Sequence, residues 1–132
     1  MRWAPLVLCL SACVRTPQPP PDCPLGGELF QQTELYFGLT RSDGNQIEQT
    51  TFDLFVEQYV VPQLPTGFTS LAGEGRWLEG AKDIREPSRV LIVLHHGDQP
   101  VDQALENIRT RYKQLFAQQS VLRVDSRACA RF

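Results

Sequence analysis

A chain of 132 residues with 42% apolar and 21% charged side chains has the length and hydrophobicity for one folded core, and lies far from the composition that keeps chains disordered. Its formal charge is −2, with basic residues scattered among acidic ones. That pattern lacks the clustered cationic face that phosphate neutralisation requires, so nucleic acid is set aside as a partner.

The chain opens on an address. Residues 1–12 carry one positive residue, Arg2, then the apolar run Leu6-Val7-Leu8-Cys9-Leu10 and the small pair Ser11-Ala12. This is the layout of a signal peptide, and the run is too short for a membrane-spanning helix, which needs about 20 residues. Leu10-Ser11-Ala12-Cys13 resembles the lipobox of bacterial lipoproteins, which implies acylation of Cys13, and Val14 after it implies the outer membrane, facing the periplasm. Loss of Arg2 with the signal leaves 12 basic residues against 15 acidic ones, a charge of −3. Residues 13–27 hold Pro17, Pro19, Pro20, Pro21 and Pro24, a proline-rich tether at about 3.1 Å per residue. One domain is expected over residues 28–132.

Of the four cysteines, Cys9 would leave and Cys13 would be acylated. Cys23 and Cys129 then remain in an oxidising compartment, to pair or to stay as two free thiols.

Residues 32–39 alternate, placing Leu35, Phe37 and Leu39 on one face and Glu34, Tyr36 and Gly38 on the other, the pattern of a half-buried strand. Turn chemistry follows at residues 41–44. Thr50 with Asp53 resembles a capping box, which predicts a helix start carrying Phe52, Phe55, Val56, Tyr59 and Val60 and ending at Pro62 and Pro65. Strands are predicted over residues 68–77 and 88–95, joined as a hairpin through the polar stretch 79–83. The Gly73-Glu74-Gly75 run reads as a bulge or bend in the first of these strands. A second helix follows Asp98, with Val101, Ala104, Leu105, Ile108, Tyr112, Leu115 and Phe116 as its apolar stripe, and a last strand covers residues 120–124.

The order βαββαβ is the split βαβ plan of an α+β, ferredoxin-like sandwich: an antiparallel sheet with two helices on one face. Strand four would lie beside strand one, bringing the chain end near Cys23.

Thr33-Glu34-Leu35-Tyr36-Phe37-Gly38, Gly75-Arg76-Trp77, residues 85–91 and residues 119–125 together resemble an uncharacterised family of bacterial secreted proteins and lipoproteins, domain-of-unknown-function family 3574. The resemblance covers about residues 30–129 and implies no activity and no site residues. The family pattern has Lys where this chain has Arg89.

Strand three is apolar on both faces, with Val90, Ile92 and Leu94 on one and Leu91 and Val93 on the other. With helices over one face, the second is expected to be covered by a homodimer partner, or by the hairpin or tether. Alternation is taken to place Glu34, Tyr36 and Gly38 near Arg123 and Asp125 on that open face, as a polar ligand site or as a cross-strand Glu–Arg pair. Arg76 and Trp77 offer a cation and a stacking surface, or hairpin packing. His95 and His96 point to opposite faces, so they cannot share a metal; one would serve at the sheet rim or be a solvated strand end. No metal and no cofactor is expected, and Asp83 and Glu86 read as loop neighbours rather than a catalytic pair.

The expected function is a membrane-tethered binding or interaction module, and an enzyme is the less favoured reading. The alternative is a small enzyme of the dimeric α+β barrel type, with a pocket on the open sheet face and Tyr36, His95 and Arg123 as polar groups. The candidate binding residues are Glu34, Tyr36, Arg76, Trp77, His95 and Arg123.

Overall fold

The computed structural model describes Cys23 and residues 26–132, so the signal, Cys13 and most of the tether lie outside the described residues. The elements run β1 (Glu28–Gly38), α1 (Gln49–Phe55) with a π-helical turn over Val56–Val60, β2 (Thr69–Glu79), β3 (Lys82–His95), α2 (Gln99–Phe116) and β4 (Leu122–Ala130). The four strands form one open antiparallel sheet in the order β2-β3-β1-β4. The architecture is α+β.

Period-two alternation builds the core. Leu35 and Phe37 of β1 and Leu91 and Val93 of β3 share one face with Leu39 and Val121. Onto it α1 and its π-turn bring Phe52, Phe55 and Val60, and α2 brings Leu105, Ile108, Tyr112 and Phe116 at helical spacing. Tyr112 stands at the centre, its ring centroid 4.7 Å from Phe37, 5.0 Å from Phe55 and 4.6 Å from Phe116. Its hydroxyl donates to Gly38 O at 2.8 Å, which satisfies the one polar atom that this ring carries into the core.

The helix ends differ from the expected chemistry. Helix α1 starts at Gln49, after Glu48, and Thr50 lies inside it. Asp53 accepts from Gln49 Nε2 at 2.6 Å instead of reaching back to a cap, so the capping box does not form. Helix α2 ends on Ala117 in the left-handed region, φ 51°, with Gln118 N–H closing on Lys113 O at 3.1 Å.

All four strands are longer than expected. Pairing of β2 with β3 is continuous from Thr69↔Ile92 to Glu79↔Lys82, so Gly73 and Gly75 sit in regular register and there is no bulge. Asp83 and Glu86 lie on β3, not in a loop. Beyond Ser88, where β1 ends, the two strands continue for six further pairs as a two-stranded arm of roughly 20 Å. Gly38 is required where β1 meets this arm: a Cβ there would sit 2.6 Å from Glu86 Oε1, which crosses to accept from Thr40 N–H.

Strand β4 reaches Ala130, so Cys129 lies within it, paired with Leu29 of β1. Cys23 and Cys129 are bridged, with Cα atoms 5.4 Å apart and a sequence separation of 106.

Candidate functional site

The six candidate binding residues fall into three separate places. Glu34 and Tyr36 do share the open face of β1, where the Tyr36 hydroxyl donates to Glu34 Oε2 and Gln32 Nε2 donates to Oε1 at 2.8 Å. That hydrogen bond to Glu34, with burial and the negative charge behind it, raises the Tyr36 pKa above the ordinary phenol value. Arg76 and Trp77 stand out on the arm, in the part of β2 that pairs with Arg85 and Ile84, away from the others. Arg76 is held by Asp83 through two bonds of 2.8 and 2.6 Å, and Trp77 is 46% exposed.

Arg123 and Asp125 are not on the open face. The register pairs Arg123 with Leu35 and Asp125 with Thr33, both of which point under the helices, while Glu34 faces Val124 and Tyr36 faces Leu122. No Glu34–Arg123 pair forms. The acidic first turns of α2 account for the reversal: Arg123 donates to Glu106 at 2.8 Å, to Asp102 at 2.7 Å and to Asp125 at 2.9 Å. Burial pulls the guanidinium pKa down, but these three carboxylates outweigh it and hold the charge. Burial likewise pushes Asp125 up, and its bonds to Thr33 and Arg123 outweigh that and lower it.

His95 closes this network on the helix side. Its Nδ1 accepts from the Gly97 N–H at 3.1 Å, so the neutral ring carries its proton on Nε2 and donates to Thr33 Oγ1 at 2.9 Å. Thr33 in turn donates to Asp125 at 2.6 Å. His95 is only 7% exposed, not a solvated strand end, and burial first, then the nearby Arg123 charge, lowers its pKa from 6.5. His96 points the other way, its ring 4.8 Å from Phe30 and its Nδ1 3.7 Å from Glu28. Among the described residues no cluster of His, Cys, Asp or Glu is arranged to hold a metal.

A site that the sequence pattern did not single out lies at the end of β3. Strand β2 begins only at Thr69, opposite Ile92, so β3 runs on past it and leaves a cleft of 640 Å³. Phe30, Gln32, Ile92 and Leu94 line it from the open face, Phe68 and Val101 from the helix side, His95 from the last position of β3, and His96 and Asp98 from the turn after it. Gly97, at φ 79° with Gln31 Cγ 3.0 Å from where a Cβ would be, lets that turn double back over β1. Of the six candidates only His95 reaches this cleft. Its one signal in sequence was the apolar trio Val90, Ile92 and Leu94, whose partners on neighbouring strands were not legible.

The family described as a protein of unknown function, DUF3574, matches residues 32–132. The chain belongs to this family. No curated protein matches the sequence. Among solved structures, a phage SAM lyase in complex with S-methyl-5'-thioadenosine superposes with a TM-score of 0.55 at 13% identity, over 76% of this chain and 90% of that one. The apo state of phage SAM lyase gives 0.54 at 15% identity, over 82% and 94%. At such identities the DUF3574 chain shares a fold with these enzymes, and the likeness extends no further than the fold.

Proposed function

We propose that this DUF3574 protein is a lipid-anchored binding module of the bacterial cell envelope, held through Cys13 in the outer membrane and facing the periplasm, with its ligand site in the cleft at the end of β3. The cleft carries the reading. Its volume of 640 Å³ falls in the range of small-molecule sites, and its walls combine apolar side chains with a few polar groups, as such sites do. The lipobox-like residues before Cys13 support the address, as does the Cys23–Cys129 pair, which suits an oxidising compartment. The strand order, read from the β4 edge as 4-1-3-2, with one core joining both helices to one sheet face, supports a ferredoxin-like split βαβ sandwich. Leu71, Leu122 and Val124 remain exposed beside half-buried Val90 and Ile92, and this strip is the surface through which two copies would pair.

Binding is preferred to catalysis because the polar candidates are already committed. Both ring nitrogens of His95, both carboxylate oxygens of Glu34 and the Tyr36 hydroxyl are engaged within the protein, and Arg123 is surrounded by three carboxylates. A general base needs a free lone pair within reach of the substrate proton, and Glu34, whose carboxylate oxygens each keep one, does not line the cleft. The second reading, a small enzyme acting on the open sheet face, is favoured by one observation: the fold shared with phage SAM lyase.

Native mass spectrometry of the full chain, extracted from membranes in a non-ionic detergent, tests the proposal. The expected spectrum shows acyl mass lost in Cys13→Ala and a retained small molecule lost in Thr69→Trp, which fills the cleft. A chain without acyl mass, or a ligand indifferent to Thr69→Trp, would overturn it. Conversion of S-adenosylmethionine to S-methyl-5'-thioadenosine by the purified chain would establish the second reading instead.

A further inference from the structure

The charge of the cleft wall is one-sided. Among the described residues its lining contains no Lys and no Arg, and its one formally charged side chain is Asp98. Asp98 stands at the N-cap of α2, yet its carboxylate makes no capping hydrogen bond, so it is not consumed by the helix end. Glu34 and Glu28 stand one contact behind the wall, bonded to Gln32 and paired with His96 respectively. Gln32 gives one N–H of its amide to Glu34, and its Oε1 is left as an acceptor for a ligand. His95 is neutral, with its Nε2 proton already given to Thr33. The polar groups left over are the Gln32 amide, the Thr66 and Thr69 hydroxyls and His96, with the Asp98 carboxylate as the one fixed charge, set beside the rings of Phe30 and Phe68.

Resting on the binding-module reading above, we infer that the cleft takes a protonated amine on a ring-sized apolar body, with the ammonium directed to Asp98 and Gln32 and the body against Phe30, Ile92 and Leu94. An anionic ligand would meet Asp98 without a compensating cation, and a charge left unpaired in a partly desolvated site is costly. A neutral ligand gains the apolar contacts but not the charge-assisted bond. The aromatic faces add attraction for a cation beyond their area.

The test uses three probes that share one ring and differ in charge: benzylammonium, benzyl alcohol and benzoate, titrated into the full chain in dodecyl maltoside and followed by backbone amide NMR. Benzylammonium is expected to move the Thr69, Gly97 and Asp98 signals and to bind about tenfold tighter than benzyl alcohol, the size of one charge-assisted hydrogen bond. Asp98→Asn keeps a good helix cap, so the fold should persist while that preference falls below about threefold. Equal binding of benzyl alcohol and benzylammonium, tightest binding of benzoate, or an unchanged preference in Asp98→Asn would overturn the inference and leave the cleft as a binding site. Unmoved signals with all three probes would overturn the cleft reading itself.

Discussion

Arg123 shows how one side chain fixes the register of an edge strand. It is 16% exposed, and in Arg123→Met Asp102 and Asp125 would lose their cation, while Glu106 would keep only Arg109, at 2.8 Å. Solvent screens these half-exposed carboxylates, so a loss of about 1–2 kcal/mol is expected in urea unfolding. Asp102→Asn should cost far less, because Asp102 is more than half exposed. His95 gives a pH signature. Burial lowers its pKa in the folded chain below the 6.5 of the free residue, so the unfolded chain takes up the proton first as pH falls. The stability it contributes is complete above about pH 6.5 and is lost progressively below it. Thermal melts of the native chain should therefore drop between pH 7 and 5, and His95→Gln, though less stable, should give a flatter curve; identical slopes would refute the assignment. In the sequence these roles were hidden for a physical reason. Leu122 and Val124 look like the inward face of β4, and only Asp102 and Glu106, one helical turn apart near the start of α2, hint that the buried partner is the arginine.

At the scale of elements, α2 was the most readable, since its stripe from Leu105 through Ile108 and Tyr112 to Phe116 is the one that is buried. Its end carries a correctable strain. Ala117 holds φ 51°, a region that costs an L-residue roughly 1 kcal/mol and glycine little. Ala117→Gly is expected to raise stability by about 0.5–1 kcal/mol, read as a higher melting temperature. The strands were readable where one face is buried and unreadable where neither is. Residues 32–39 alternate because the core takes every second one. The arm has no core beneath it, so Glu86-Pro87 imitated a loop although both lie in the ladder with β2. Pro87 is tolerated there because its carbonyl, not a missing N–H, meets Leu39 across β1. The same absence of a core leaves Leu78 72% exposed on a two-stranded ribbon, a structure that is marginal in isolation. The π-turn had no sequence signal at all: Val61 N–H reaching back to Val56 O follows from packing Val60 into the core rather than from any local motif.

For the molecule as a whole, the bridge between Cys23 and Cys129 closes a sequence separation of 106. In the chain-entropy account a loop of that size contributes about 5 kcal/mol by restricting the unfolded chain. Cys23→Ser or treatment with a reductant should lower the unfolding free energy by an amount of that order, with little change in the benzylammonium affinity. The bridge also orders the molecule end to end. It sits where β1 begins, close to the cleft lined by Phe30, and the arm extends past the other end of β1 at Gly38.

That placement has a mechanical consequence. Residues before Cys23 enter the domain at a covalent junction between two neighbouring antiparallel strands, so a pull on them is delivered to β1 and β4 together. A force on β1 alone would peel it from β4 one residue pair at a time. With the junction closed, the two strands move as one, and the load passes into the whole width of their shared ladder. The reduced chain should yield at markedly lower force in single-molecule pulling from its N-terminal side.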